Sequence, residues 1–336
     1  MPTTFPDGRP SAQLRLAARD QGVIFRHGEG PAQCDMLGAR EANVFLEDGV
    51  YHLFYDGAGP RGWLVCLATS RDLVHWERHG PLLDFGSPGS PDSATATSPW
   101  VIHDGTQWRM FYVASPNASP APDYIPSFPY LTLTATAPRL AGPWTKHYDV
   151  RPFVPQPGTW HSLTASPGFV LREGGEYLQY FSSTTDSPAG IYQRTLGLAR
   201  TRDLAGSWTI DPEPLFPVNE QVENTSVYFE PTNGLWFLFT NHVASERRAD
   251  GTIGEWCDAI WVYWSRDPRR WDQHQKAIVL DRHNCTWSQR SIGMPSVLPI
   301  DGRLALFYDG NHGEISTNMQ RDVGLAWLDL PLRPPA

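Results

Sequence analysis

Short runs of alternating apolar and polar residues recur along the whole chain, separated by Gly, Asp, Asn and Pro. A period of two predicts β-strands, and almost no 3.6-residue periodicity competes with it. One pattern returns five times: EANVFLEDGVYHLFYDG (41–57), SPWVIHDGTQWRMFYVA (98–114), SPGFVLREGGEYLQYFS (166–182), NTSVYFEPTNGLWFLFT (224–240) and MPSVLPIDGRLALFYDG (294–310). Each predicts a strand, a tight turn around Asp-Gly, Gly-Gly or Asn-Gly, and a second strand ending in aromatics, which is a hairpin signature. A third strand follows each hairpin, as LVCLATS, LTLTAT, LGLART, WVYWS and VGLAW. A fourth is marked in four copies by Trp76, Trp144, Trp208 and Trp271, which lie 68, 64 and 63 residues apart.

The fifth copy stops after VGLAWLDLPL, so its outer strand is missing, and GVIFRHG (22–28) is free to supply it. Self-similarity of this kind predicts an all-β chain: a five-bladed β-propeller of four-stranded antiparallel blades, closed by the N-terminal strand. Residues 1–336 then form a single domain. The alternative is a β-sandwich with aromatic-rich strands, but a sandwich gives no reason to repeat one four-strand unit at 57–70 residue spacing.

Composition narrows the partners. The 31 Pro and 29 Gly make up about 18% of 336 residues, against roughly 12% in average usage, as many turns require. With 27 basic and 36 acidic residues the net charge is −9, which argues against nucleic acid or an anionic membrane as the main partner. No run of 18 apolar residues exists to form a membrane-spanning helix. The N-terminal MPTTFPDGRPSAQLRLAARD lacks the apolar core of a secretory signal, so a cytoplasmic location is expected. Cys34, Cys66, Cys257 and Cys285 are scattered without CxxC spacing, which predicts free thiols rather than a disulfide framework or a zinc cluster. The oligomeric state is not legible.

In a propeller the first strand of each blade lines the central channel, so functional residues should gather at strand starts and at the loops after the second strands. The starts offer Asp35, Arg40 and Glu41; Asp92, Thr97 and Ser98; Trp160, His161 and Ser162; Glu220, Glu223 and Asn224; Trp287, Arg290 and Ser291. The return loops add Asp56, Asn241, His242, Asp309 and His312. Carboxylates and amides bind hydroxyls while flat aromatic faces cover C–H surface, so this mixture suits a sugar. Cleaving a glycosidic bond needs two carboxyl groups astride one oxygen, one protonated and one ionised.

Simpler roles account for some acids. Asp48, Asp104 and Asp301 precede Gly in turns, and Asp72, Asp203 and Asp267 repeat with the tryptophan motif. Asp56 and Asp309 share one place in two copies, which predicts a common turn role. Glu41, Asp92 and Glu223 match no such repeat and are the catalytic candidates. Asp35, Arg40, Trp160, His161, Glu220, His242, Trp287, Arg290 and His312 are the substrate-binding candidates, with Asp35 in reserve for Glu41 and His161 in reserve for the acid.

These features resemble the five-bladed propeller glycosidases, the clan of glycoside hydrolase families 43, 32, 68 and 117. The blade pattern covers essentially the whole chain, and SRDLVHWERHGPLL (70–83) after HLFYDG is especially similar. The family 43 Asp-Pro pair of the first blade falls on Glu41-Ala42, which implies a base at Glu41. Its second-blade Asp falls on Trp100 and its third-blade acid on Ala165, while a glutamate stands one blade later at Glu223. The resemblance implies a divergent glycosidase acting on a terminal, furanose-type sugar, with Glu41 as base or nucleophile, Glu223 as acid and Asp92 as an orienting group. A phosphorylase or transglycosidase, as in family 130, and a non-catalytic sugar-binding propeller are the alternatives. No redox or nucleotide cofactor is expected, since neither GxGxxG nor a P-loop is present; a channel cation such as calcium stays open, with no ligand spacing to support it.

Overall fold

The structure is a computed structural model and describes residues 4–335 apart from 6, 188, 189 and 252. It is all-β: among the described residues the helical segments are two short 3₁₀ turns, Pro31–Gln33 and Val218–Glu220. No helix is long and apolar enough to cross a membrane.

The strands run in chain order from β1 (Leu14–Arg15) and β2 (Arg19–Phe25) into successive antiparallel meanders. The first is β3 (Gly38–Glu47), β4 (Val50–Gly59), β5 (Gly62–Ser70) and β6 (Glu77–Pro81); the second is β7 (Thr95–His103), β8 (Trp108–Ser115), β9 (Leu131–Ala137) and β10 (Thr145–His147). A third comprises β11 (Thr164–Glu173), β12 (Glu176–Asp186), β13 (Tyr192–Thr201) and β14 (Thr209–Ile210). A fourth comprises β15 (Val222–Glu230), β16 (Leu235–Arg247), β17 (Ile253–Ser265) and β18 (Lys276–Asp281). The last is β19 (Ile292–Ile300), β20 (Arg303–Gly310) and β21 (Asp322–Asp329).

β2 lies antiparallel on β21, pairing Arg19 with Trp327 and Phe25 with Val323, so the N-terminal segment supplies the strand that the last repeat lacks. Two pairings carry no signal in the sequence: β1 lies parallel on β18, and β5 touches β7 through a short parallel pairing. The turn chemistry is as the sequence predicts. Asp48-Gly49, Gly174-Gly175 and Asp301-Gly302 all have positive φ at both residues, the backbone of a tight two-residue hairpin. The motif tryptophans Trp76, Trp144 and Trp208 each stand immediately before an outer strand, and Trp271 stands a few residues before β18.

The core is divided into layers rather than gathered between two sheets. Leu64, Val65 and Leu67 pack on Met110 and Tyr112 between the first two meanders. Leu178, Leu196 and Leu198 pack on Leu238 and Trp261 between the third and fourth, and Phe237 and Val262 on Leu306 and Ala326 between the fourth and last. Leu53, Tyr55 and Ala68 of the first meander pack on Phe307 and Leu325 of the last.

The N-terminal strand is also tied by charge. His27, just past β2, donates its backbone N–H and brings Nδ1 to Asp322 Oδ1 at 2.9 and 2.7 Å, while His312 Nε2 lies 2.9 Å from Asp322 Oδ2. The bond to Asp322 raises the His27 pKa against the opposing effect of burial. Burial works to raise Asp322, but hydrogen bonds from His27 and His312 outweigh it and lower the carboxyl. The His27 contribution is therefore complete below about pH 6.5 and lost as pH rises through its elevated folded pKa. Wild-type Tm should fall between pH 6 and pH 9, and Asp322→Asn should flatten that fall; equal slopes in both proteins would refute the link.

Candidate active site

Every first strand carries a register shift at one place, between Arg40/Asn43, Thr97/Trp100, Pro167/Val170, Glu223/Ser226 and Gly293/Ser296. In four of them the bulged residue has positive φ: Glu41, Ser98, Asn224 and Met294. That conformation is disfavoured for non-glycine residues, and bulges of this kind re-aim a side chain. The freed backbone N–H is taken up by the second strand of a neighbouring meander. Glu41 donates to Asp309 Oδ2 (2.7 Å), Ser98 to Asp56 Oδ1 (2.6 Å), Asn224 to Ser182 Oγ (2.7 Å) and Met294 to Asn241 Oδ1 (3.4 Å). Asp56 and Asp309 thus share a role, but they cap neighbouring bulges rather than their own turns.

The bulged side chains converge on one pocket of about 210 Å³, lined by residues from all five meanders. Its charged lining is Arg40, Glu41, Arg194, Glu223, Glu255 and Arg321, with Tyr130, Phe128 and Trp256 as aromatic walls. Asn224 Nδ2 reaches Glu41 Oε2 at 3.5 Å, and Arg40 lies 3.5 Å from Glu41 and stacks over Trp63. Arg194 donates Nε to Glu223 Oε2 at 3.1 Å and grips Glu255 with both terminal nitrogens, at 2.6 and 2.9 Å. Burial pushes the Glu41 carboxyl up, and the charges of Asp309 and Glu223 add to this against the pull of Arg40 and the Ser98 hydroxyl. Glu223 and Glu255, in contrast, share a guanidinium that their charges hold protonated despite its burial. Two carboxyl groups in one pocket therefore sit in unlike environments.

Of the twelve residues singled out in the sequence, Arg40, Glu41 and Glu223 line this pocket and the other nine do not. Asp92 is the clearest correction. It is fully buried, with Oδ2 accepting from Tyr112 (3.0 Å), Lys146 (2.6 Å) and Tyr148 (3.4 Å), and Oδ1 from Ser90 (3.0 Å). It also belongs to a repeat after all. Asp35, equally buried, accepts from Tyr55 and Arg78 as Asp92 does from Tyr112 and Lys146, with 20 residues between acid and tyrosine in both. These acids fasten the entry loop to the second and fourth strands.

Glu220 is likewise buried, against Tyr263 and Lys276. His242 stacks on Trp261 with Nδ1 2.8 Å from Arg9 and 3.1 Å from Asp258, and burial lowers its pKa. Trp287 donates to the Tyr308 hydroxyl, Arg290 pairs with Glu246 over Trp256, and His312 is held by Asp322. Trp160 and His161 line a separate cleft. The four cysteines are free and buried, as expected, and Cys257 lines the pocket. Among the described residues no three His, Cys, Asp or Glu side chains come together as a metal-ligating group.

Sequence reasoning missed Arg194, Glu255 and Trp256, which lie near the starts of the third strands β13 and β17. The available signal was length: β16 and β17 run 13 residues each, so their shared hairpin projects to the mouth and brings polar residues with it.

The fold is that of the β-propeller enzymes that act on glycosidic bonds. The catalytic domain of a GH62 α-L-arabinofuranosidase from Coprinopsis cinerea superposes with a TM-score of 0.60 at 15% identity, over 94% of this chain and 98% of that one. A structure from work on the GH130 family of mannoside phosphorylases, described as containing hydrolases that target β-1,2 mannosidic linkages in Candida mannan, gives 0.64 at 14%, over 100% and 99%. No family profile matches the chain. A 1,2-beta-oligomannan phosphorylase of Thermoanaerobacter sp. (strain X514) is 31% identical over 85 residues, which is 23% of this chain and 29% of that relative.

Proposed function

We propose that the chain is a glycoside hydrolase, that its five meanders are the blades of one closed propeller domain, and that Glu41 and Glu223 cleave the bond. The reading is supported above all by two carboxyl groups of unlike environment facing one pocket from β3 and β15. The roles are the reverse of those the resemblance implies. Glu41, whose proton burial helps to retain, is the general acid that protonates the leaving oxygen. Glu223, held by Arg194, is the partner that activates water or attacks carbon. Asn224, which contacts Glu41 and adjoins Glu223, orients the sugar between them.

Phosphorolysis is the second reading, favoured by the oligomannan phosphorylase match. Against it, no lysine lines the pocket among the described residues, and each of its arginines already faces a carboxylate: Arg40 with Glu41, Arg194 with Glu223 and Glu255, Arg321 with Asp309. A panel of aryl mannosides and arabinofuranosides, assayed with and without inorganic phosphate and after chelation, separates the readings. Turnover of one sugar independent of phosphate and chelator is expected. Phosphate dependence would make the protein a phosphorylase, and binding without turnover would leave it a sugar-binding propeller. The same panel decides between the furanosyl substrate first expected and a mannosyl one.

A further inference from the structure

We propose that the cleft floored by Trp160 is a distal sugar subsite, which holds a remote residue of an oligosaccharide whose scissile bond lies in the pocket. The proposal rests on the reading of that pocket as a glycosidic-bond site. The pocket, at about 210 Å³, is below the roughly 300–1,000 Å³ that enclose larger ligands, so a longer chain must continue past its rim. The cleft is the neighbouring opening that shares a loop with the pocket. His161 is followed three residues later by Thr164, which lines the pocket, so the chain itself bridges the two in about 10 Å.

The cleft of about 470 Å³ has the chemistry of a sugar site: Trp160, His161, Trp208, Thr209 and Asp211 line it. Trp160 is held flat. One side of its indole stacks on Phe181 (centroids 5.6 Å apart, planes 22° apart), and Nε1 donates to the Pro212 carbonyl at 2.9 Å. A fixed, partly exposed indole is a platform for the C–H face of a sugar. Two polar atoms beside it have no hydrogen-bond partner among the described residues. His161 is 4% exposed, and its Nδ1 meets Thr159 Oγ1 at 3.1 Å, but Nε2 bonds to nothing. Burial also lowers its pKa, which favours the neutral ring that can exchange hydrogen bonds with hydroxyls. Asp211 takes both Arg200 contacts on Oδ1, which leaves Oδ2 to accept from a sugar hydroxyl. An unpaired buried nitrogen is costly in a folded protein, and a small turn of the ring toward the cleft would let a ligand hydroxyl satisfy it.

The test compares two substrates of one sugar: β-1,2-linked mannotetraose with an aryl mannoside, or arabinotetraose with an aryl arabinofuranoside, whichever pair is turned over. Trp160→Ala should raise KM for the tetrasaccharide about tenfold and leave its kcat and the aryl glycoside's kcat/KM unchanged. Asp211→Asn, which keeps the side-chain volume, should raise the same KM about threefold. Equal losses on both substrates, or no change on either, would overturn the subsite. If the wild type turns over no glycoside, the pocket reading fails instead. The cleft is then tested by quenching of tryptophan fluorescence with the two tetrasaccharides, expected in the wild type and absent in Trp160→Ala; no quenching in either protein overturns the proposal.

Discussion

Replacing Glu41 by Gln should cut kcat by at least about 10² while the protein melts no lower than the wild type. The amide keeps the shape and can still meet Asn224 and Ser98, and the backbone N–H that Asp309 caps is untouched. The carboxylate, by contrast, is buried where ionisation is disfavoured. A carboxyl raised in the folded state favours folding only while protonated and loses that contribution as pH rises through its folded pKa. Near neutral pH the neutral amide is thus the easier group to bury. The pH profile gives a sharper reading than the rate. Activity that needs protonated Glu41 declines on the alkaline side, and the residual activity of Glu41→Gln should lack that limb. Glu223→Gln should lose a similar factor and retain the alkaline limb. Near-wild-type kcat in both variants would remove the pair from the chemistry, and loss of folding in both would make their role structural.

Deleting residues 1–30 should abolish soluble expression or lower Tm by on the order of 10 °C or more. The deletion strips β2 from β21 and leaves an open strand edge, the usual template for aggregation. It also removes Phe25, which packs on Tyr55, and Asp20, which accepts from the Tyr308 hydroxyl at 2.5 Å and from Thr286. The layer joining the first and last meanders would lose Phe25, and the layer joining the fourth and last would lose the Asp20 tie to Tyr308. A truncated protein as soluble and as stable as the whole chain would show that these pairings are dispensable.

The strand repeats and their tight turns were legible because both are local. Alternation needs only neighbouring residues, and Asp48-Gly49 or Gly174-Gly175 adopts its turn for reasons internal to the dipeptide. That Glu41 and Glu223 line the pocket was legible for a related reason: their strands begin where the repeat says, and no repeat explained them. Asp92 was misjudged because its kinship with Asp35 is carried by two distant partners, a second-strand tyrosine and a fourth-strand cation, and not by adjacent residues.

What the sequence by itself determined is therefore the order and type of elements, the place of the missing outer strand, and two of the carboxyl groups that line the pocket. The tertiary structure alone decided which side chains meet. Arg194 of β13, Glu223 of β15 and Glu255 of β17 come from three strands and form one cluster only when neighbouring meanders pack. Glu41 has its raised carboxyl because burial, Asp309 and Glu223 act on it from other meanders. Desolvation and Coulomb interaction depend on distance in space rather than along the chain, so sequence spacing carries no information about the direction in which the Glu41 carboxyl is shifted.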